Sequence, residues 1–178
     1  MEEALRTYLI PLWNAYHFFC TYANIAGYRP GVLELARASR LDRYILSKLE
    51  RVKQRVAAVA ENYDIVSGCT KRCGAHRDAQ QLVHLAEPAA FLEESDKPEN
   101  RAAYDVLYFV LREFAQVAAP LAPFIAETLY RGLCGGESVH LCDWPAAHPE
   151  HVDEALESRT DRCGRSPIWG GRCGNGIG

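Results

Sequence analysis

Cys69, Cys73, His76 and His84 fall within one short stretch and carry the side chains that zinc prefers. Four such donors could close a tetrahedral structural site. The spacing C-x3-C-x2-H-x7-H, however, lacks the two close ligand pairs separated by a longer spacer that zinc modules share, so no metal site is expected there. Cys163 and Cys173, near the Gly-rich end, offer less. A second group is cationic: Lys48, Arg51 and Arg55 follow one flank of a helical pattern, with Arg43 near its start. Such groups neutralise phosphate, and Arg also stacks on bases. The same flank equally describes a solvated helix side. Trp13 and Trp144 have the rings to stack on a base, but their helix and turn settings point to core packing. The chain holds no G-x-x-x-x-G-K-[ST], G-x-G-x-x-G or G-x-S-x-G stretch. Asp42 with Arg43, and Glu93 with Glu94, are adjacent and would diverge by about 100° on a helix, which suits no acid/base pair. No catalytic residue is expected.

The elements that would position these groups are helical. Residues 3–26 carry apolar side chains near 3–4 spacing (Trp13, Tyr16, Phe19, Cys20, Ala23), with Pro11 tolerable in a first turn and Gly27 and Pro30-Gly31 as the stop. A loop follows to about Ser39. Residues 41–62 give the clearest stripe: Leu41, Ile45, Leu49, Val52, Val56 and Val59. Residues 100–119 repeat the rhythm through Tyr104, Leu107, Leu111, Phe114 and Ala118, until Pro120 and Pro123 interrupt it. A shorter helix is expected over Phe124 to Leu133, closed by Gly135-Gly136. The alternation of Glu137 to Leu141 predicts a short extended segment. Residues 69–94 have weak periodicity, and the Gly-rich sequence past about Arg159 has none, which predicts a disordered tail over 158–178.

Composition sets the outer limits. The chain has 178 residues, 48% apolar and 10% aromatic, enough for one sizeable core and too apolar for a wholly disordered chain. No apolar run reaches about 18 residues, so no membrane span is expected. The acidic start Met1-Glu2-Glu3 is unlike a signal peptide, and seven irregularly spaced cysteines read as reduced thiols, so a cytoplasmic location is expected. The net charge of −3 excludes a generally basic nucleic-acid binder and leaves room for a local basic face. Arg supplies sixteen of the 20 basic residues, a bias that GC-rich coding also produces.

One run carries a family resemblance. Pro11-Leu12-Trp13-Asn14-Ala15-Tyr16-His17-Phe18-Phe19, continuing to Asn24, resembles the opening helix of the anticodon-binding domain of isoleucyl-tRNA synthetases. Leu41 to Ser47 is similar to the start of that domain's second helix. Ala103 to Tyr108 and Leu121 to Glu127 are similar to its last long helix and the proline break. Glu137 to Leu141 with Asp143-Trp144-Pro145 resembles its closing turn. The second and last helices resemble the valyl and leucyl enzymes as well; the Trp-Asn-x-Tyr-x-Phe-Phe stretch points to the isoleucyl type. The resemblance covers most of residues 9–68 and 99–157. It implies an all-α antiparallel helix bundle over residues 1–157 and a partner, tRNA (isoleucine), held at the anticodon stem-loop. Arg43, Lys48, Arg51 and Arg55 are the candidate RNA contacts.

The departures define what such a chain would lack. The family's two ATP-handling signatures, of the His-x-Gly-His and Lys-Met-Ser-Lys-Ser types, are absent, so no aminoacylation is implied here. ATP and magnesium are implied for a parent enzyme alone, and no cofactor for this chain. The missing catalytic portion of the synthetase is a further expected partner. The family's third helix carries an Asn-Trp-Tyr-Ile stretch followed by several Arg and a Phe-Trp; residues 69–94 should hold it and do not. Read one nucleotide later through GC-rich synonymous codons, Ala79 to Glu94 can yield Ser-Asn-Trp-Tyr-Ile-Ser-Arg-Ser-Arg-Pro-Arg-Phe-Trp-Lys. The tail, shifted by two, can yield an amphipathic helix. Frameshifts across 69–94 and past about 159 would account for both stretches and would impair RNA binding. Two other readings compete. One is a stand-alone helical interaction module that seats a partner helix in an apolar groove. The other is a small metal protein built on Cys69, Cys73, His76 and His84.

Overall fold

The computed structural model describes residues 9–61 and 98–163, and all the regular structure among them is helical. The helices are α1 (Ile10–Ile25), α2 (Arg40–Glu61), α3 (Pro98–Ala118), α4 (Pro123–Cys134) and α5 (Glu154–Cys163), with 3-10 turns at Leu35–Arg37, Val139–Leu141 and Pro149–His151. The all-α bundle expected from the periodicity is present. Cys69, Cys73, His76 and His84, and the whole of 69–94, lie outside the described residues.

Local chemistry fixes each end. Pro11 occupies the first turn of α1, where its missing N–H costs nothing. Gly27 ends that helix at φ +59°. The N–H of Gly27 donates to the Asn24 carbonyl at 3.2 Å and that of Tyr28 to the Ala23 carbonyl at 2.8 Å, a paired closure that requires the left-handed residue. Helix α2 opens with a reciprocal cap. The Asp42 N–H donates to Ser39 Oγ at 3.2 Å, and the Ser39 N–H donates to Asp42 Oδ2 at 2.8 Å. Pro123 starts α4, and Gly135 at φ +61° stops it.

Helix α3 is central and touches α1, α2 and α4. Leu12, Ala15 and Phe19 of α1 and Ile45, Leu46, Leu49 and Val52 of α2 join one core around α3. Tyr104, Leu107, Val110, Leu111 and Phe114 of α3 and Leu129 of α4 complete this core. The loop between α1 and α2 is tied down by one carboxylate: Asp105 accepts from the Tyr28 hydroxyl at 2.5 Å and from the Gly31 N–H at 3.1 Å. Burial, with the Asp105 charge alongside, pushes the Tyr28 hydroxyl well above its ordinary pKa.

Three expectations are corrected. Glu137 to Leu141 is not extended: Val139–Leu141 is a 3-10 turn. Glu127 Oε2 accepts from the Ser138 hydroxyl and the Val139 N–H, both at 2.9 Å, and this pulls the chain into the turn. The boundary at 157 also moves, because α5 runs through Cys163. Asp153 starts it by accepting from the Leu156 N–H at 2.8 Å, and its first turn carries Glu154 and Glu157, where the helix dipole favours negative charge. Finally, Trp13 and Trp144 are each 43% exposed and are not core residues. Trp13 leans on Tyr16, with ring centroids 5.5 Å apart. Among the described residues, no helix is long and apolar enough to cross a membrane.

Candidate nucleic-acid interface

The face of α2 beside the apolar stripe is not bathed in water. Ser47, Glu50 and Lys53 are all buried there. They hold a strap formed by residues 146–157. Lys53 Nζ donates to Glu113 Oε2 and to the Ala146 carbonyl, each at 2.7 Å, and pairs with Glu50 Oε1 at 2.5 Å. The other Glu50 oxygen accepts from the His148 N–H at 3.0 Å. Ser47 accepts from the Asp153 N–H at 3.0 Å and donates to the Glu157 carboxylate.

This strap decides the surroundings of the four cationic candidates. Arg51 is drawn into it, 2.7 Å from Glu154 and 3.5 Å from Glu157. The Glu154 hydrogen bond chiefly raises its pKa further. Lys48 is only 3% exposed, with its ammonium 5.4 Å from the Tyr44 ring centroid. Neither stands on a solvated flank. Arg55 and Arg43 are exposed. One guanidinium nitrogen of Arg43 donates to the Leu35 carbonyl at 3.4 Å.

The structure gathers a different basic group around Arg43. Arg40, Arg43 and Arg159, all exposed, line a cleft of about 270 Å³ with Ala38, Asp153, Ala155 and Leu156. Its walls are the start of α2 and one side of α5. The cleft lining carries three guanidinium groups and one carboxylate, Asp153, on a chain of negative net charge. Guanidinium forks match phosphate oxygens in pairs. Arg40 could have been found from sequence, since it stands three residues before Arg43 and the two are helix neighbours. Arg159 could not: it fell in the stretch read as a tail, and only the strap brings it to α2.

Comparison with known proteins decides the family. A model of the anticodon-binding domain of tRNA ligases matches residues 42–164. The chain belongs to this family. The chain is 36% identical over 163 residues to the isoleucine–tRNA ligase of Leifsonia xyli, covering 91% of this chain and 14% of that protein. It is 36% identical over 166 residues to the Thermus thermophilus enzyme (88% and 16%), and 37% identical over 162 residues to the Nocardia farcinica enzyme (90% and 15%). The chain thus spans roughly a seventh of the length of these curated relatives.

Proposed function

We propose that this domain binds the anticodon stem-loop of isoleucine tRNA and serves, in the cytoplasm, as the tRNA-holding part of an isoleucine–tRNA ligase whose catalytic portion lies on other residues. The supporting observation is the family match over 42–164 together with an exposed arginine cleft, to which the matched segment contributes Arg43 and Arg159 and the residues just before it contribute Arg40. The amino-acid- and ATP-handling chemistry of such a ligase has no residues here; this domain's part is to bind and orient RNA. Arg40, Arg43 and Arg159 supply phosphate contacts, and Arg55 extends the basic surface along α2. Lys48 and Arg51 act from beneath: Arg51 holds α5 through Glu154 and Glu157, and so holds Arg159 in place.

Contacts of this kind position RNA, and sequence is read by unstacked bases. A filter-binding titration against isoleucine tRNA, with a non-cognate tRNA as control, tests the reading. Affinity should fall as salt rises, with a log–log slope of about −0.7 per phosphate contact on unpaired RNA. Arg43→Ala and Arg159→Ala should each weaken binding and reduce that slope by about one contact. Tight binding unaffected by salt or by either substitution would refute it.

A further inference from the structure

We propose that His148, Glu150 and His151 form a binding site for a divalent transition metal of the zinc class, next to the arginine cleft and built without the cysteines of the Cys69–His84 stretch. The three residues lie on and beside the 3-10 turn Pro149–His151. Side chains at i and i+3 of such a turn eclipse one another, so a His-x-x-His sequence places both imidazoles on one face. The rings are stacked, with centroids 4.9 Å apart and planes inclined at 24°. One donor atom from each of the three residues lies within 4.8 Å of the other two. His148 Nδ1 is 3.1 Å from Glu150 Oε1.

Two further observations make this a built site. His151 is 8% exposed, and its Nδ1 is buried with no hydrogen-bond partner. A buried ring nitrogen without a partner carries a desolvation cost, which a metal or a proton donor would relieve. The turn is also fixed from behind, by Glu50 accepting the His148 N–H at 3.0 Å and by the Phe109 ring, edge-on to both imidazoles at 5.8 and 5.9 Å. The donor set suits the metal: two imidazoles and one carboxylate give three protein ligands, and a fourth position is left for water. Zinc bonds near 2.0–2.1 Å require the donors to close to roughly 3.4 Å, which calls for rotation of the half-buried His148 ring as well as of the exposed Glu150 side chain. Bound metal would clip the strap's turn in place over α2.

Cobalt(II) titration of the full chain, reduced and first stripped with chelator, tests this, followed by visible absorption and by competition with zinc. One equivalent should bind, with d–d bands of a nitrogen/oxygen site and no thiolate-to-cobalt band in the near ultraviolet. His148→Ala and His151→Ala should each weaken binding at least about tenfold. Glu150→Gln, at an exposed position, serves where a His151 variant fails to fold and should also weaken it. The double change Cys69→Ser, Cys73→Ser should leave affinity unchanged. A thiolate band, loss of binding in the cysteine variant, unchanged affinity in His148→Ala and Glu150→Gln, or no binding at all would each overturn the site.

Discussion

Helix α2 is buried on two adjoining faces by different physics. One face sets Ile45, Leu49 and Val52 against α3; the other sets Ser47, Glu50 and Lys53 against the strap and, through Lys53, against Glu113 of α3. The apolar face is held by contacts that any residue of similar volume and polarity can approximate. The polar face is held by directional bonds, each needing its own partner at its own distance. The first kind is forgiving and periodic. The second is specific, and its failure leaves charge stranded in a dry place.

Substitutions can break this contrast in order of size. Lys53→Ala should be the most damaging change, at about 3–5 kcal/mol, because it leaves the Glu50 and Glu113 carboxylates buried without their shared cation. Urea unfolding of the variant checks it. Leu49→Ala, at a fully buried site on the apolar face, should cost about 2–5 kcal/mol by the same measurement. Asp153→Ala should cost about 1 kcal/mol through loss of the α5 cap, by the same measurement. The smallest effect belongs to acid titration. Burial works against the Glu127 charge, but the Ser138 hydroxyl, the Val139 N–H, Arg131 and His140 outweigh it and hold the carboxyl below its usual pKa. A carboxyl lowered in the folded state adds stability above its unfolded value near 4.5, and that stability is lost as pH falls through the folded value. Glu127→Gln should therefore flatten the acid limb of a stability profile without altering its shape near neutrality.

The same contrast explains what could be read in advance. Helices α2, α3 and α4 appear within a few residues of the sequence periodicity, because the apolar face of each is local information; α1 is Ile10–Ile25 of an expected 3–26, with residues 3–8 outside the described residues. The strap is invisible to periodicity, since Ser47 meets Asp153 and Glu157 more than 100 positions away. That is why Lys48 and Arg51 read as a wet flank when one lies buried over Tyr44 and the other is engaged by α5. Glu137 to Leu141 misled for a related reason: alternation over five residues cannot register a carboxylate on α4 waiting to accept Ser138 and Val139. Of the RNA candidates, Arg43 was legible as a charge at a helix start. Its association with Arg159 exists only once the chain is folded. The family resemblance came from side-chain identity in Trp13 to Phe19 and its companion blocks, which carry ancestry along with packing.

Residues 9–61 and 98–163 are bound to each other by contacts of their own: Tyr28 with Asp105, Lys53 with Glu113, Glu50 with His148, Ser47 with Asp153 and Glu157, and Arg51 with Glu154. The peptide running between them is therefore not the sole tie between the two halves. A protease cut in that interval should leave two pieces that stay associated and can recombine after separation, so that the domain survives as a complex of its own fragments.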